Sequence, residues 1–168
     1  MATAGDNEPN GQEGEDRLRL NLPALPPVIF GIPLIIGAVI HVLFWRAPVI
    51  GGAIGFVIGF LMMIAGIWLI YWTWKVMRDH GEHPDPIHRT NTLVTIGPFA
   101  RTRNPIYSGF LLIGAGMAIL LNSMAMLIFV FVGVAAIQVL VIRREEAYLE
   151  TKFGEVYLGY VQQVKRWI

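Results

Sequence analysis

The chain has 168 residues, a mass of 18.7 kDa, 55% hydrophobic and 15% charged residues, and a mean hydropathy of +0.56. Soluble domains carry about 25% charge, so a single soluble globular domain is excluded. A net charge of +1 offers no field for steering nucleic acid, and the lack of cysteine removes disulfides, thiolate zinc sites and cysteine nucleophiles.

The chain opens with MATAGDNEPNGQEGED, rich in Gly, Asn and acids and nearly devoid of apolar side chains. Residues 1–20 are therefore predicted to be a disordered acidic tail, and residues 21–168 a single membrane domain. The tail lacks the basic start and small-residue cleavage site of a secretory signal.

Two apolar blocks follow. Leu20 to Trp74 carries one charge, Arg46, and Asn104 to Ile142 carries none. The first block breaks at Arg46-Ala47-Pro48 and the second at Asn122-Ser123. The predicted spans cover residues 27–44, 50–74, 105–121 and 124–142. At 1.5 Å per residue the first two reach roughly 27 and 37 Å, enough for a hydrocarbon core of about 30 Å. The expected fold is all-α: four transmembrane helices in two tight hairpins, with a C-terminal amphipathic helix on the cytoplasmic side.

Of thirteen Lys and Arg residues, only Arg46 falls between the first and second spans. The others lie before the first span, in the loop 75–104, or in the tail 143–168. The positive-inside rule then puts both termini and the loop in the cytoplasm of an integral membrane protein. The outer connections are too short to build a site, so any chemistry belongs to these cytoplasmic segments.

Within the second span Gly51, Gly55 and Gly59 recur every fourth residue, the pattern of a close helix-packing seam. Gly114-Ala115-Gly116 starts like a dinucleotide fingerprint but sits inside a span and lacks the third glycine, so it is rejected. His80, His83 and His88, with Asp79 and Asp85, offer nitrogen and oxygen ligands, yet no helical i, i+4 pair exists and Pro84 and Pro86 intervene. No metal site is expected there.

The loop ends in LVTIGPFARTRNPIYSG, Leu93 to Gly109. Gly97-Pro98 signals a turn, and Asn104-Pro105 supplies an N-cap residue and a first-turn proline. Arg103 stands beside a helix N-terminus, where the helix dipole disfavours a cation unless an anion lies between them. Phe99 and Tyr107 bring aromatic faces suited to an adenine or to the membrane belt. After the fourth span, RREEAYLETKFGEVYLGYVQQV has apolar residues at helical spacing, interrupted by Gly154 and Gly159. Its Glu145 and Glu146 are either solvated and paired with Arg143 or Arg144, or turned back to bind a cationic group.

GPFARTRNPIYSG followed by REEAYLETKFGEVYLGY resembles the integral-membrane methyltransferases related to isoprenylcysteine carboxyl methyltransferase and the phospholipid methyltransferases. The resemblance covers Leu93 to Val164. It implies S-adenosyl-L-methionine bound without a Rossmann domain, with cofactor contacts at Asn91, Thr92, Leu93, Val94, Phe99, Asn104, Pro105, Ile106, Tyr107 and Glu145, and catalytic roles for Arg103, Glu145 and Glu146. Arg101 stands where the family often has an aromatic residue. Val141 stands where the prenylcysteine enzymes carry an arginine for the substrate carboxylate, with Arg143 or Arg144 the candidates to replace it.

The function expected is methyl transfer to a lipid-like or small membrane-partitioning acceptor, the isoprenylcysteine carboxylate class being most similar. Its partners are the lipid bilayer and that acceptor, with no nucleic acid. The alternatives are an NADPH-dependent membrane reductase of related architecture and a non-catalytic membrane assembly subunit.

Overall fold

The structure, a computed structural model, describes residues 25–82 and 90–167. Among them every regular element is helical: α1 (Pro26–Leu43), α2 (Gly52–Asp79), a 3-10 turn (Gly97–Ala100), α3 (Pro105–Leu120), α4 (Met124–Ile137), α5 (Arg143–Phe153) and α6 (Glu155–Gln163). A π-helical turn, Gln138–Ile142, joins α4 to α5 without a break. The acidic tail and most of the histidine cluster, including His83, Asp85 and His88, lie outside the described residues.

Among the described residues three helices are long and apolar enough to cross a membrane: α1, α2, and the continuous Met124–Phe153 rod formed by α4, the π turn and α5. Helix α3 is apolar but has 16 residues, about 24 Å at 1.5 Å per residue. The second helix extends past Trp74 to Asp79. Lys75 and Arg78 bound the hydrocarbon crossing, but a charge does not stop helical hydrogen bonding, and long basic side chains reach the interface from within a helix.

The first predicted hairpin is corrected by the packing. Helix α2 lies along α3, α1 lies along α4, and α3 packs on α4, so consecutive α1 and α2 do not form a tight pair. Their connection instead straddles the tip of the α3–α4 turn. Val49 N donates to Asn122 Oδ1 at 2.7 Å, and Met124 N donates to Ala47 O at 3.0 Å. Asn122 adopts a left-handed φ of 52°, which asparagine tolerates better than most residues, and Ser123 Oγ caps α4 by accepting from Met126 N at 3.1 Å.

Glycines set the helix spacing, though not all those expected. Gly51 precedes α2, and Gly55 turns in on Ile50. The seam runs through Gly59 and Gly66 of α2 against Gly116 and Gly109 of α3: a Cβ on Gly116 would lie 2.6 Å from Gly59 O, and one on Gly66 would lie 2.8 Å from Gly109 O. Backbones this close leave no space for a methyl group. On the other side Phe30 of α1 fits against Gly114 of α3 and Gly133 of α4, within a core that also holds Val130, Ile137, Val141 and Ile142.

Candidate functional site

The polar residues that an apolar bundle can least easily bury gather at one end, where the loop before α3 meets the rod α4–α5. The π turn sets their placement. It inserts one residue into the helical repeat, so the residues beyond it are rotated by about 100° relative to an uninterrupted α-helix. Val141 and Ile142 thereby become fully buried, and Glu145 and Glu146 enter α5 facing the residues around Arg103 and Tyr107.

The two carboxylates have different partners. Tyr107 Oη donates to Glu145 Oε1 at 2.8 Å, joining the first turn of α3 to the start of α5. Glu146 is held by two guanidinium groups. Arg166 donates from Nε to Oε1 at 2.9 Å and from Nη2 to Oε2 at 2.6 Å, while Arg103 Nη1 approaches Oε1 at 3.3 Å. The side chains of Arg103 and Glu146 are only 12% and 16% exposed. The anion that the α3 terminus demanded beside Arg103 is therefore the protein's own Glu146. The Glu146 hydrogen bond pushes the Arg166 pKa up further.

Asn104 occupies the cap position of α3, but its side chain makes no capping hydrogen bond. Its Nδ2 donates to Arg166 O at 3.1 Å instead. Thr102 Oγ1 donates to the same carbonyl at 2.9 Å, Arg103 N donates to Lys165 O at 2.9 Å, and Trp167 Nε1 reaches Gln138 Oε1 at 3.0 Å. Residues 165–167 thus form a strap tying the loop before α3 to the π turn. Sequence reading missed this strap. Lys165 and Arg166 look like ordinary membrane-surface cations, and no periodicity announces a segment that bonds through its carbonyls as well as its side chains.

Of the two glycines that weaken the C-terminal amphipathic helix, Gly154 divides it into α5 and α6. There φ is +51° and ψ −127°, a conformation that costs a side chain dearly and glycine little. Gly159 stays inside α6. The bend folds α6 back so that Tyr160 Oη donates to Phe99 O at 2.7 Å and Tyr157 is buried. Burial pushes the Tyr160 phenol up to about 12, with Arg103 opposing. Burial also raises Tyr157, reinforced by Glu146 and opposed by Arg103 and Arg166.

Of the other residues implicated by the sequence, Pro105 is buried in the first turn of α3, Ile106 packs on the core, and Phe99 is half-buried in the 3-10 turn. Tyr107 is 8% exposed, its ring tilted against Phe110 and its hydroxyl bonded to Glu145. Leu93 and Val94 are half-buried, and Asn91 and Thr92 are exposed. The backbone N–H groups of Asn91 and Thr92 both donate to Glu82 Oε1, at 2.8 and 2.6 Å. Glu82, 5% exposed just past α2, is a second residue the sequence did not single out. It anchors the far end of the segment that Tyr107 closes. Among the described residues no group of three His, Cys, Asp or Glu could hold a metal.

The family model for phospholipid methyltransferase matches residues 54–156, more than half of the chain, from α2 through the start of α6. The chain belongs to the phospholipid methyltransferase family. With its membrane-length helices, it is an integral membrane protein of a methyltransferase family. A 27-residue stretch is 59% identical to an uncharacterized protein of Haemophilus influenzae, covering 16% of this chain and 43% of that protein's length. No solved structure matches the chain.

Proposed function

We propose that the chain is an S-adenosylmethionine-dependent methyltransferase acting on a lipid-like or small membrane-partitioning acceptor at the cytoplasmic face, with isoprenylcysteine carboxylate the most similar acceptor class. The observation that carries this reading is the Tyr107–Glu145 hydrogen bond. It brings together the two segments to which the family resemblance assigns the cofactor, Asn91 to Tyr107 and the start of α5.

The residues suit such a molecule. Glu145 supplies a carboxylate for its cationic part. The α3 terminus, which Asn104 leaves without a side-chain cap, has backbone N–H groups and a partial positive charge for its carboxylate. Phe99, Leu93 and Val94 offer half-buried apolar surface for its base. When bound, S-adenosylmethionine supplies an electrophilic methyl whose bonding pair departs to sulfur as the acceptor's lone pair forms the new bond. The protein's work is then positioning and exclusion of water. In this reading Glu145 contacts the cofactor, Arg103 and Glu146 position the loop before α3, and Glu82 holds Asn91 and Thr92 in place.

The membrane arrangement proposed is four spans with both termini cytoplasmic, α3 being the short one, accommodated by local thinning of the bilayer or by flanking residues. It is supported by the cation distribution, with Arg46 alone on the opposite side. The test is labelled methyl transfer from S-adenosylmethionine by purified protein to prenylcysteine, phospholipid amine and small thiol acceptors, with calorimetry of the cofactor. Micromolar binding that weakens at least tenfold in Glu145→Gln is expected. A properly folded protein that binds no cofactor refutes the reading.

A further inference from the structure

Helix α6 ends at Gln163, and from Val164, with φ −120° and ψ 129°, the chain runs extended past the start of α3. There it presents two backbone carbonyls to three donors. Lys165 O accepts from Arg103 N at 2.9 Å, and Arg166 O accepts from Thr102 Oγ1 at 2.9 Å and from Asn104 Nδ2 at 3.1 Å. Thr102 and Asn104 are 1% and 7% exposed. Two oxygens facing a fan of N–H and O–H donors reproduce what one carboxylate would offer them, so a ligand carboxylate that uses these donors has to displace the strap.

The charges make that displacement cheap. A half-buried carboxylate deprived of its only cation is strongly destabilised, which would fix Arg166 in place. Glu146, however, faces two guanidinium groups. Arg166 holds both of its oxygens, at 2.9 and 2.6 Å, whereas Arg103 makes one contact of 3.3 Å. Arg103 Nε is buried without a hydrogen-bond partner among the described residues. The side chain of Arg103 is 12% exposed and that of Arg166 37% exposed. When Arg166 swings into water, Arg103 needs only to close its 3.3 Å contact for Glu146 to remain paired.

We infer that residues 165–167 are a releasable latch on the loop before α3. Docked, the carbonyls of Lys165 and Arg166 occupy the donors of Thr102, Arg103 and Asn104, and Trp167 is bonded to Gln138. Released, Arg103 takes over Glu146 and the three donors turn to a ligand carboxylate. Affinity for that ligand then scales with the fraction of chains in which the latch is released. That the carboxylate belongs to S-adenosylmethionine rests on the function proposed above; the exchange of arginines on Glu146 does not.

The experiment uses the full chain in lipid nanodiscs. The chain has no cysteine, so Lys165→Cys, at an exposed position that bonds through its carbonyl, takes a single nitroxide label. Its electron paramagnetic resonance spectrum should contain a restricted, docked component and a mobile, released one. Arg166→Gln should enlarge the mobile component about threefold and tighten S-adenosylmethionine binding by the same factor. Arg103→Gln should shrink the mobile component, because Glu146 then has no second partner. An unchanged spectrum in Arg166→Gln overturns the exchange, as does a mobile component that grows in Arg103→Gln, the result if both arginines merely brace the loop. S-adenosylmethionine should enlarge the mobile component, and 5′-methylthioadenosine, which lacks the carboxylate, should not. Equal responses to the two, or cofactor binding with no response, overturns the displacement by carboxylate. A folded protein that binds no cofactor, with both arginine variants behaving as expected, removes the methyltransferase reading and retains the latch.

Discussion

The different partners of the two adjacent carboxylates predict opposite phenotypes. Glu146 accepts two hydrogen bonds from Arg166, at 2.9 and 2.6 Å, with side-chain exposures of 16% and 37%. Exposed pairs couple by about 0.2–1 kcal/mol, and breaking fully buried ones costs about 3–5 kcal/mol. Because Arg166 is more than a third exposed, solvent screens it, and a coupling of about 1–2 kcal/mol is expected. The measurement is a double-mutant cycle of Glu146→Gln and Arg166→Gln by reversible unfolding in mixed detergent micelles. Glu145→Gln combined with Arg166→Gln should be additive to within about 0.5 kcal/mol. Cofactor affinity should show the reverse pattern, falling at least tenfold for Glu145→Gln and changing only a few-fold for Glu146→Gln. A Glu146–Arg166 coupling below about 0.3 kcal/mol, or equal losses of cofactor affinity from the two glutamates, would refute the assignment of Glu146 to structure and Glu145 to the ligand.

Gly116→Val should destabilise the bundle by about 1–3 kcal/mol in the same unfolding assay, because its side chain meets Gly59 O and Met63 in the tightest helix seam; an unchanged midpoint would mean that the seam is looser than described. Tyr160 has a folded-state pKa raised by burial to about 12 from an ordinary 10, so its contribution is complete below pH 10 and lost as pH rises through 12. Unfolding stability should decline across that window, less steeply in Tyr160→Phe, and identical profiles for the two proteins would count against the buried Tyr160–Phe99 contact.

What the sequence revealed and what it hid divide along physical lines. Hydrophobic length and breaker residues are local, so the apolar helices fall within a residue or two of the predicted spans wherever Pro, Asn or Ser ends them, as at Pro105 and at Asn122-Ser123. Where only a charge marks the boundary, as after Trp74, the helix continues. The family was equally legible, because its signature residues lie in two short contiguous stretches. Pairing of helices was not. The opening of the α1–α2 hairpin depends on Val49 and Ala47 reaching residues more than seventy positions away, which no periodicity encodes.

The site followed the same rule more sharply. Arg103 at a helix N-terminus required an anion, and electrostatics alone raised that requirement from sequence. The identity of the anion depended on the π turn, whose extra residue rotates Glu145 and Glu146 together, and on Arg166, which arrives from the far end of the chain. Arg166 therefore has a double part. Its guanidinium neutralises Glu146, and its carbonyl accepts from both Thr102 and Asn104, so one residue of the strap orders the loop before α3 by its charge and by its backbone. Substituting its side chain removes the first effect and spares the second. A truncation that removes residues 165–168 should consequently cost more than Arg166→Gln, both in stability and in the order of the segment from Phe99 to Tyr107, because it also removes the Lys165 and Arg166 carbonyls and the Trp167–Gln138 bond.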